Sequence, residues 1–240
     1  MTLLRLCGLA AFAYGPSTAM FLTVVAPRSQ LVLLTVTSAF TELIALLLTG
    51  LLWWLSPAFQ EMDWLTVMVG VLLQEGARLL YLVGYTRGDR RIKGMVAHSP
   101  LTDFSSMIAA GLGFGLMYTL IMYGGVLQAS LLPGDYFLDQ CPLLSGFVIT
   151  ALLALLFQML NSALTVLMLD ALRRHEARRP EALPRLAMVL VAHMGASVAS
   201  LANSSSLGCN VGMPAATGVV LLAVAEALRT VRRPSYGGAR

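Results

Sequence analysis

Charge is what this sequence has least of. Asp, Glu, Lys and Arg make up 12% of its 240 residues, about half the share carried by a soluble domain. That shortage excludes an ordinary water-soluble globule. Cysteine is scarcer still, and three residues cannot build a disulfide framework. The three histidines have no second histidine or carboxylate at ligand spacing, so no metal site is expected. No phosphate-cradling glycine loop, Walker-type lysine, His-Glu-x-x-His or Gly-x-Ser-x-Gly occurs, and no cofactor is expected. Two mid-span aspartates, an arginine ladder and an inverted repeat are also missing, which removes aspartyl intramembrane proteases, voltage sensors and repeat-built transporters.

What the chain does have is seven long apolar stretches. They run near Leu3–Ala26, Gln30–Leu55, Trp64–Tyr85, Phe104–Leu131, Leu144–Leu172, Leu186–Ala202 and Pro214–Val231. Each is long enough to cross a hydrocarbon core of roughly 30 Å as a helix rising about 1.5 Å per residue. The loops between them are too short to fold separately. The expected fold is therefore all-α, a polytopic membrane bundle of seven transmembrane helices. Residues 1–233 would form that one domain and 234–240 a short cytosolic tail. A cleavable signal peptide is not expected, because the first stretch outruns the usual apolar region and has only Arg5 before it.

The basic residues sort by loop. All 16 Lys and Arg except Arg5 and Arg78 fall in the first, third and fifth loops or the tail: Arg28; Arg87, Arg90, Arg91 and Lys93; Arg173, Arg174, Arg178, Arg179 and Arg185; Arg229, Arg232, Arg233 and Arg240. The second, fourth and sixth loops carry only Glu61, Asp63, Asp135 and Asp139. Basic short loops stay cytosolic, so the N-terminus is expected outside, or in the lumen, and the C-terminus in the cytosol. The net charge of +4 then reflects topology and contact with membrane lipid, not nucleic-acid binding. Cys141 and Cys209 share the outer side, where a bridge and two free thiols both stay open. Asn203-Ser204-Ser205 matches a glycosylation acceptor but lies almost at a span end, so it is expected to be unmodified. The fifth loop, from Arg173 to Arg185, is expected to be mobile.

Polar residues inside the spans carry the functional question. Pro16, after Gly15, should kink the first span. Glu75 and Arg78 share a face of the third span and can pair. One reading is a structural ion pair inside the bundle. The other is a catalytic glutamate activating water, with Arg78 orienting it and His193 and Asn161 as oxyanion or acid partners. His193, Ser197 and Ser200 form one polar stripe and Asn161, Ser162 and Thr165 another, suited to hydrogen bonding between helices. Gly111, Gly115 and Thr119 recur at every fourth position and let a second helix approach closely. That helix can belong to this chain or to a partner. A transporter or receptor would instead need a hydrated cavity around Glu42, Glu75 and His193.

Several segments in order resemble one family. Phe12-Ala13-Tyr14-Gly15-Pro16, Leu72-Leu73-Gln74-Glu75 with Arg78, Gly111-Leu112-Gly113-Phe114-Gly115, Asp170-Ala171 and His193 are similar to the anterior pharynx-defective (Aph) subunit of γ-secretase, and the resemblance spans nearly the whole chain. It implies a non-catalytic scaffold, not an enzyme in itself. The implied partners are a presenilin-like catalytic subunit, a nicastrin-like subunit and a small presenilin-enhancer-like subunit, acting on membrane-protein substrates as in Notch receptor processing. The implied location is the endoplasmic reticulum, Golgi and plasma membrane. Gly111 and Gly115 match the first two glycines of the family's assembly repeat. Thr119 replaces the third and is expected to weaken close approach slightly. His193 matches the second of two buried family histidines, while Asn161 stands where the first is expected. The family also distantly resembles glutamate-type CAAX prenyl proteases, which keeps the catalytic reading of Glu75 as the alternative.

Overall fold

A computed structural model describes residues 2–95, 103–204 and 208–232. It is 87% helical, with seven helices long and apolar enough to cross a membrane. In chain order these are α1 (Thr2–Met20), continued by a π-helical turn (Phe21–Val25), α2 (Ser29–Leu55), α4 (Asp63–Met95), α5 (Asp103–Ala129), α6 (Gly146–Glu176), α7 (Ala182–Leu201) and α8 (Cys209–Arg232). The short α3 (Pro57–Glu61) caps the turn between α2 and α4, with Pro57 at a first-turn position that needs no backbone donor.

The burial pattern is inverted relative to a soluble helix. On α2 the buried stripe is Leu31, Thr35, Ser38, Glu42 and Ala45. Its opposite face exposes Leu33, Val36, Phe40, Leu47 and Leu51. Small and polar side chains inside with large apolar ones outside are stable only where the surrounding medium is itself apolar. The helix α6 is the axis of the bundle, with most of its apolar window buried, whereas α1 lies at the periphery. The main core gathers Leu156, Leu160, Leu164 and Leu167 of α6 with Leu82, Val189, Ala196 and Val220 from α4, α7 and α8.

The helix ends differ from the sequence reading. Helix α4 does not stop near Tyr85 but continues to Met95, carrying Arg87, Arg90 and Arg91 on helical turns. Its extension is held by Arg173–Asp89 at 3.4 Å and an Arg90–Glu176 ion pair. The fifth loop shrinks to residues 177–181, because Arg173 and Arg174 complete α6 and Arg185 belongs to α7. At that turn Arg179 N donates to Arg174 O and Arg178 takes a left-handed conformation, φ 53°, a helix-ending geometry usually given to glycine. Helix α8 begins at Cys209, so Pro214 lies inside it. In α1 the geometry changes to π at Phe21–Val25, beyond Pro16. The fourth loop holds an unanticipated hairpin, β1 (Phe137–Leu138) against β2 (Cys141–Ser145). Arg233 and Arg240, the tail 234–240 and Ser205 of the acceptor motif lie outside the described residues, as does the side chain of Lys93.

Candidate functional site

Four polar residues from three helices meet in the bundle core. Glu75 and Arg78 stand one turn apart on α4, and Arg78 Nη1 donates to Glu75 Oε1 at 2.5 Å. His193 Nδ1 of α7 lies 2.5 Å from the same oxygen. Arg78 Nη2 donates to Asn161 Oδ1 of α6, and Asn161 Nδ2 donates to Phe157 O at 2.9 Å. Arg78, Asn161 and His193 are fully buried. The Arg78 guanidinium also sits 5.1 Å from the Phe114 ring centroid of α5, a cation–π distance. One carboxylate oxygen thus gathers two cationic or donor groups, and Asn161 supplies the acceptor for the remaining guanidinium edge.

The knot is not closed. Glu75 Oε2, Arg78 Nε, His193 Nε2 and Gln74 Oε1 have no hydrogen-bond partner among the described residues. Glu42 of α2 is fully buried and neither of its oxygens is bonded; it feels the charges of Arg78 and Glu75. Cavities open between the helices among the described residues. One of about 280 Å³ opens between α1, α5, α6 and α8 and includes Pro16, Ser17 and Gln158 in its wall. Another, about 180 Å³, is walled by residues such as Tyr118, Thr119, Thr150 and Ser200. Neither wall includes Glu42, Glu75, Arg78 or His193.

The glycine run of α5 is clamped between two helices of the same chain. A Cβ at Gly111 would lie 2.7 Å from Ser162 Cα of α6, and one at Gly115 would lie 3.1 Å from Gln158 Cα. On the other face, a Cβ at Gly113 would collide with Ser38 Oγ and Thr35 O of α2. Thr119 is more than a small residue. Its hydroxyl accepts from Gln158 Nε2 at 2.8 Å and donates to Gly115 O at 2.9 Å. Tyr14 OH donates to Thr119 O at 3.1 Å, and Ser17 donates to Gln158 Oε1. Thr119 thus stands at a hydrogen-bonded junction of α1, α5 and α6. Gly113, Ser17 and Tyr14 went unassigned in the sequence. The adjacency of Gly113 to the repeat, on the opposite helix face, was the available signal.

The polar stripes divide in use. Gln158, Asn161 and His193 reach across to other helices. Thr165 instead donates to Asn161 O at 2.8 Å and Ser200 to Ser197 O at 2.7 Å, each on its own helix. Ser197 is buried, and the backbone of Ser162 faces Gly111.

Each end of the bundle is tied. At one end Arg5 of α1 donates to Ser130 O, Leu132 O and Gly134 O and pairs with Asp135 at 2.8 Å, so this basic residue, which like Arg78 falls outside the charge sort, is neutralised by protein groups. The same end holds a Cys141–Cys209 disulfide with Cα atoms 5.5 Å apart, within the usual range. Nearby Asn203 is buried, with its amide 3.4 Å from Met213 Sδ. At the other end buried Asp170 accepts from Arg174 Nε at 2.8 Å and lies 3.6 Å from Arg185 Nε. Arg185 in turn pairs with Glu226 of α8 at 2.9 Å, and Glu226 with Arg229 at 3.5 Å. The basic residues counted for topology thus also join α4, α6, α7 and α8.

The model of a family described as Aph-1 protein matches residues 4–234. An Arabidopsis thaliana protein named "Gamma-secretase subunit APH1-like" is 26% identical over 224 residues, 89% of this chain and 87% of that protein. "Gamma-secretase subunit Aph-1b" of Danio rerio is 29% identical over 148 residues and "Gamma-secretase subunit APH-1B" of Mus musculus 29% over 147, each alignment covering 56% of both chains.

Proposed function

The chain belongs to the Aph-1 family, and on that premise we propose that it is a non-catalytic scaffold subunit of a γ-secretase-type intramembrane protease complex. It would stabilise a presenilin-like catalytic subunit and a nicastrin-like subunit beside a small presenilin-enhancer-like subunit. Residues 1–233 act as one membrane domain, with the N-terminus outside or in the lumen and the C-terminus cytosolic. The assembled complex would process membrane-protein substrates, Notch-type receptors among them, in the endoplasmic reticulum, Golgi and plasma membrane.

The observation that carries this reading is the occupation of Glu75. Its Oε1 already holds Arg78 and His193. Charges buried in low dielectric are retained at a cost unless well paired, and such a pair specifies one arrangement of the helices around it. Joined to α6 by Asn161, the pair fixes the register of α4, α6 and α7. The glycine clamp fixes α5 between α2 and α6. A bundle so fixed presents a constant outer surface to partner helices.

Mild-detergent affinity purification, with identification of the co-purifying chains, tests this. Presenilin-like and nicastrin-like polypeptides are the expected companions. The alternative is a glutamic intramembrane protease using Glu75, with Arg78, His193 and Asn161 around it. The free Glu75 Oε2 and His193 Nε2 are what favour it, since each could engage a water. A chain that purifies alone and cleaves a peptide through Glu75 decides for that alternative.

A further inference from the structure

The hairpin of the fourth loop presents apolar side chains that none of the described residues covers. Leu143 is 89% exposed, Phe137 55% and Leu144 45%, and Leu132 and Tyr136 beside them are also exposed. Along β2 only Cys141 is buried; Pro142, Leu143 and Leu144 are exposed in succession, so both faces of the strand are open. In water a two-stranded hairpin is marginal and a cluster of exposed Leu and Phe marks an interaction surface.

The height of the hairpin along the bundle identifies what covers it. Arg5 and Arg28 bracket the apolar part of the first span and lie roughly 34 Å apart along it at about 1.5 Å per residue, close to the thickness of a hydrocarbon core. The groups bound by Arg5, from Ser130 O to Asp135, therefore mark the membrane boundary. Strand β1 starts two residues beyond Asp135, and β2 runs directly into α6, with Gly146 N bonded to Tyr136 O at 2.8 Å. Leu143 and Leu144 lie within about 10 Å of the start of α6 at about 3.3 Å per residue, against a polar interfacial zone of roughly 5–7 Å per leaflet. Leu131, just past α5, and Val148, in the first turn of α6, are exposed as well. No Lys or Arg occurs from Leu131 to Phe147, whereas Tyr136 is of a residue type that settles at the interface. The Cys141–Cys209 bond pins β2 to α8 and holds these side chains in place.

We propose that the β1–β2 hairpin is immersed in the headgroup–acyl boundary of its leaflet, with Phe137, Leu143 and Leu144 as the inserted side chains. The hairpin then acts as a fixed float that sets the depth of α6 and α8. This rests on the membrane-spanning fold and not on the subunit assignment, and its test needs no partner.

The test uses the full chain in phosphatidylcholine vesicles, with Trp53, Trp54 and Trp64 replaced by Phe. One reporter is Leu143→Trp, a second is Phe137→Trp, and Asp139→Trp at the hairpin tip is the control. Both reporters should emit at shorter wavelength than the control. They should lose most of their emission to lipids brominated near the headgroup and be shielded from iodide, whereas the control should be quenched by iodide. Iodide quenching of both reporters with no effect of brominated lipid would place the hairpin in water and overturn the proposal. Shielding from both quenchers would show that protein covers the hairpin, and would overturn it equally.

Discussion

Adding one methyl group to different glycines of α5 should change stability with opposite signs. In a helix Gly→Ala gains about 1 kcal/mol of intrinsic propensity, so the sign depends on what the new Cβ meets. At Gly124 and Gly125 it meets nothing within 4 Å, and alanine should stabilise by up to about 1 kcal/mol. At Gly111 it would stand 2.7 Å from Ser162 Cα, against about 3.5–4.0 Å for an unstrained carbon pair. The obstacle is backbone, so α5 and α6 must separate by about 1 Å, and such a gap forfeits a quarter to a half of each contact across it. Overpacking of this kind costs about 1–3 kcal/mol, more than the propensity gain. Gly115, with its nearest atoms at 3.1 Å, should fall between. Leucine at Gly111 or Gly115 should abolish recovery of folded chain, while Leu116→Ala should be tolerated. Unfolding of the purified variants in mild detergent measures the series. If Gly111→Ala and Gly124→Ala shift the midpoint in the same direction, the α5–α6 clamp is not as described.

Thr119→Gly should destabilise by about 1 kcal/mol despite the smaller side chain, because Gln158 loses its acceptor; a neutral result in the same unfolding assay refutes the junction. Arg178→Gly should stabilise by about 1 kcal/mol, since it relieves a left-handed backbone, and no upward shift of the midpoint speaks against that geometry. Single cysteines at Gly88 and Ala177 should resist an impermeant thiol reagent in intact cells, while one at Gly134 should react; the reverse pattern inverts the proposed orientation.

The spans were legible because seven apolar runs separated by short charged loops have few other uses. Their ends were not. Hydropathy stops at Tyr85 and Leu172, but the helices continue through Arg90 and Arg173, where ion pairs with Glu176 and Asp89 replace apolar packing. The Glu75–Arg78 contact follows from three-residue spacing on one helix. Its meeting with Asn161 and His193 required the helix order, which periodicity does not encode. The Gly111–Gly115 face was visible, but not which helix fills it, nor that Gly113 serves a second helix on the other side. Arg5 was an anomaly in the charge count until its acceptors, Ser130, Leu132, Gly134 and Asp135, came from a loop more than a hundred residues away. The hairpin was hidden because its seven strand residues lie between two apolar spans and show no alternation.

Glu75→Gln separates scaffold from enzyme most directly. Removing the charge leaves Arg78 buried without its counter-ion, and breaking a buried pair in this way costs about 3–5 kcal/mol. The decisive quantity is proteolytic turnover per assembled complex, measured beside the yield of that complex. The scaffold reading predicts a sharply lower yield, with turnover per complex within a few-fold of the unaltered protein. Normal assembly with proteolysis abolished would contradict it and make Glu75 the catalytic residue.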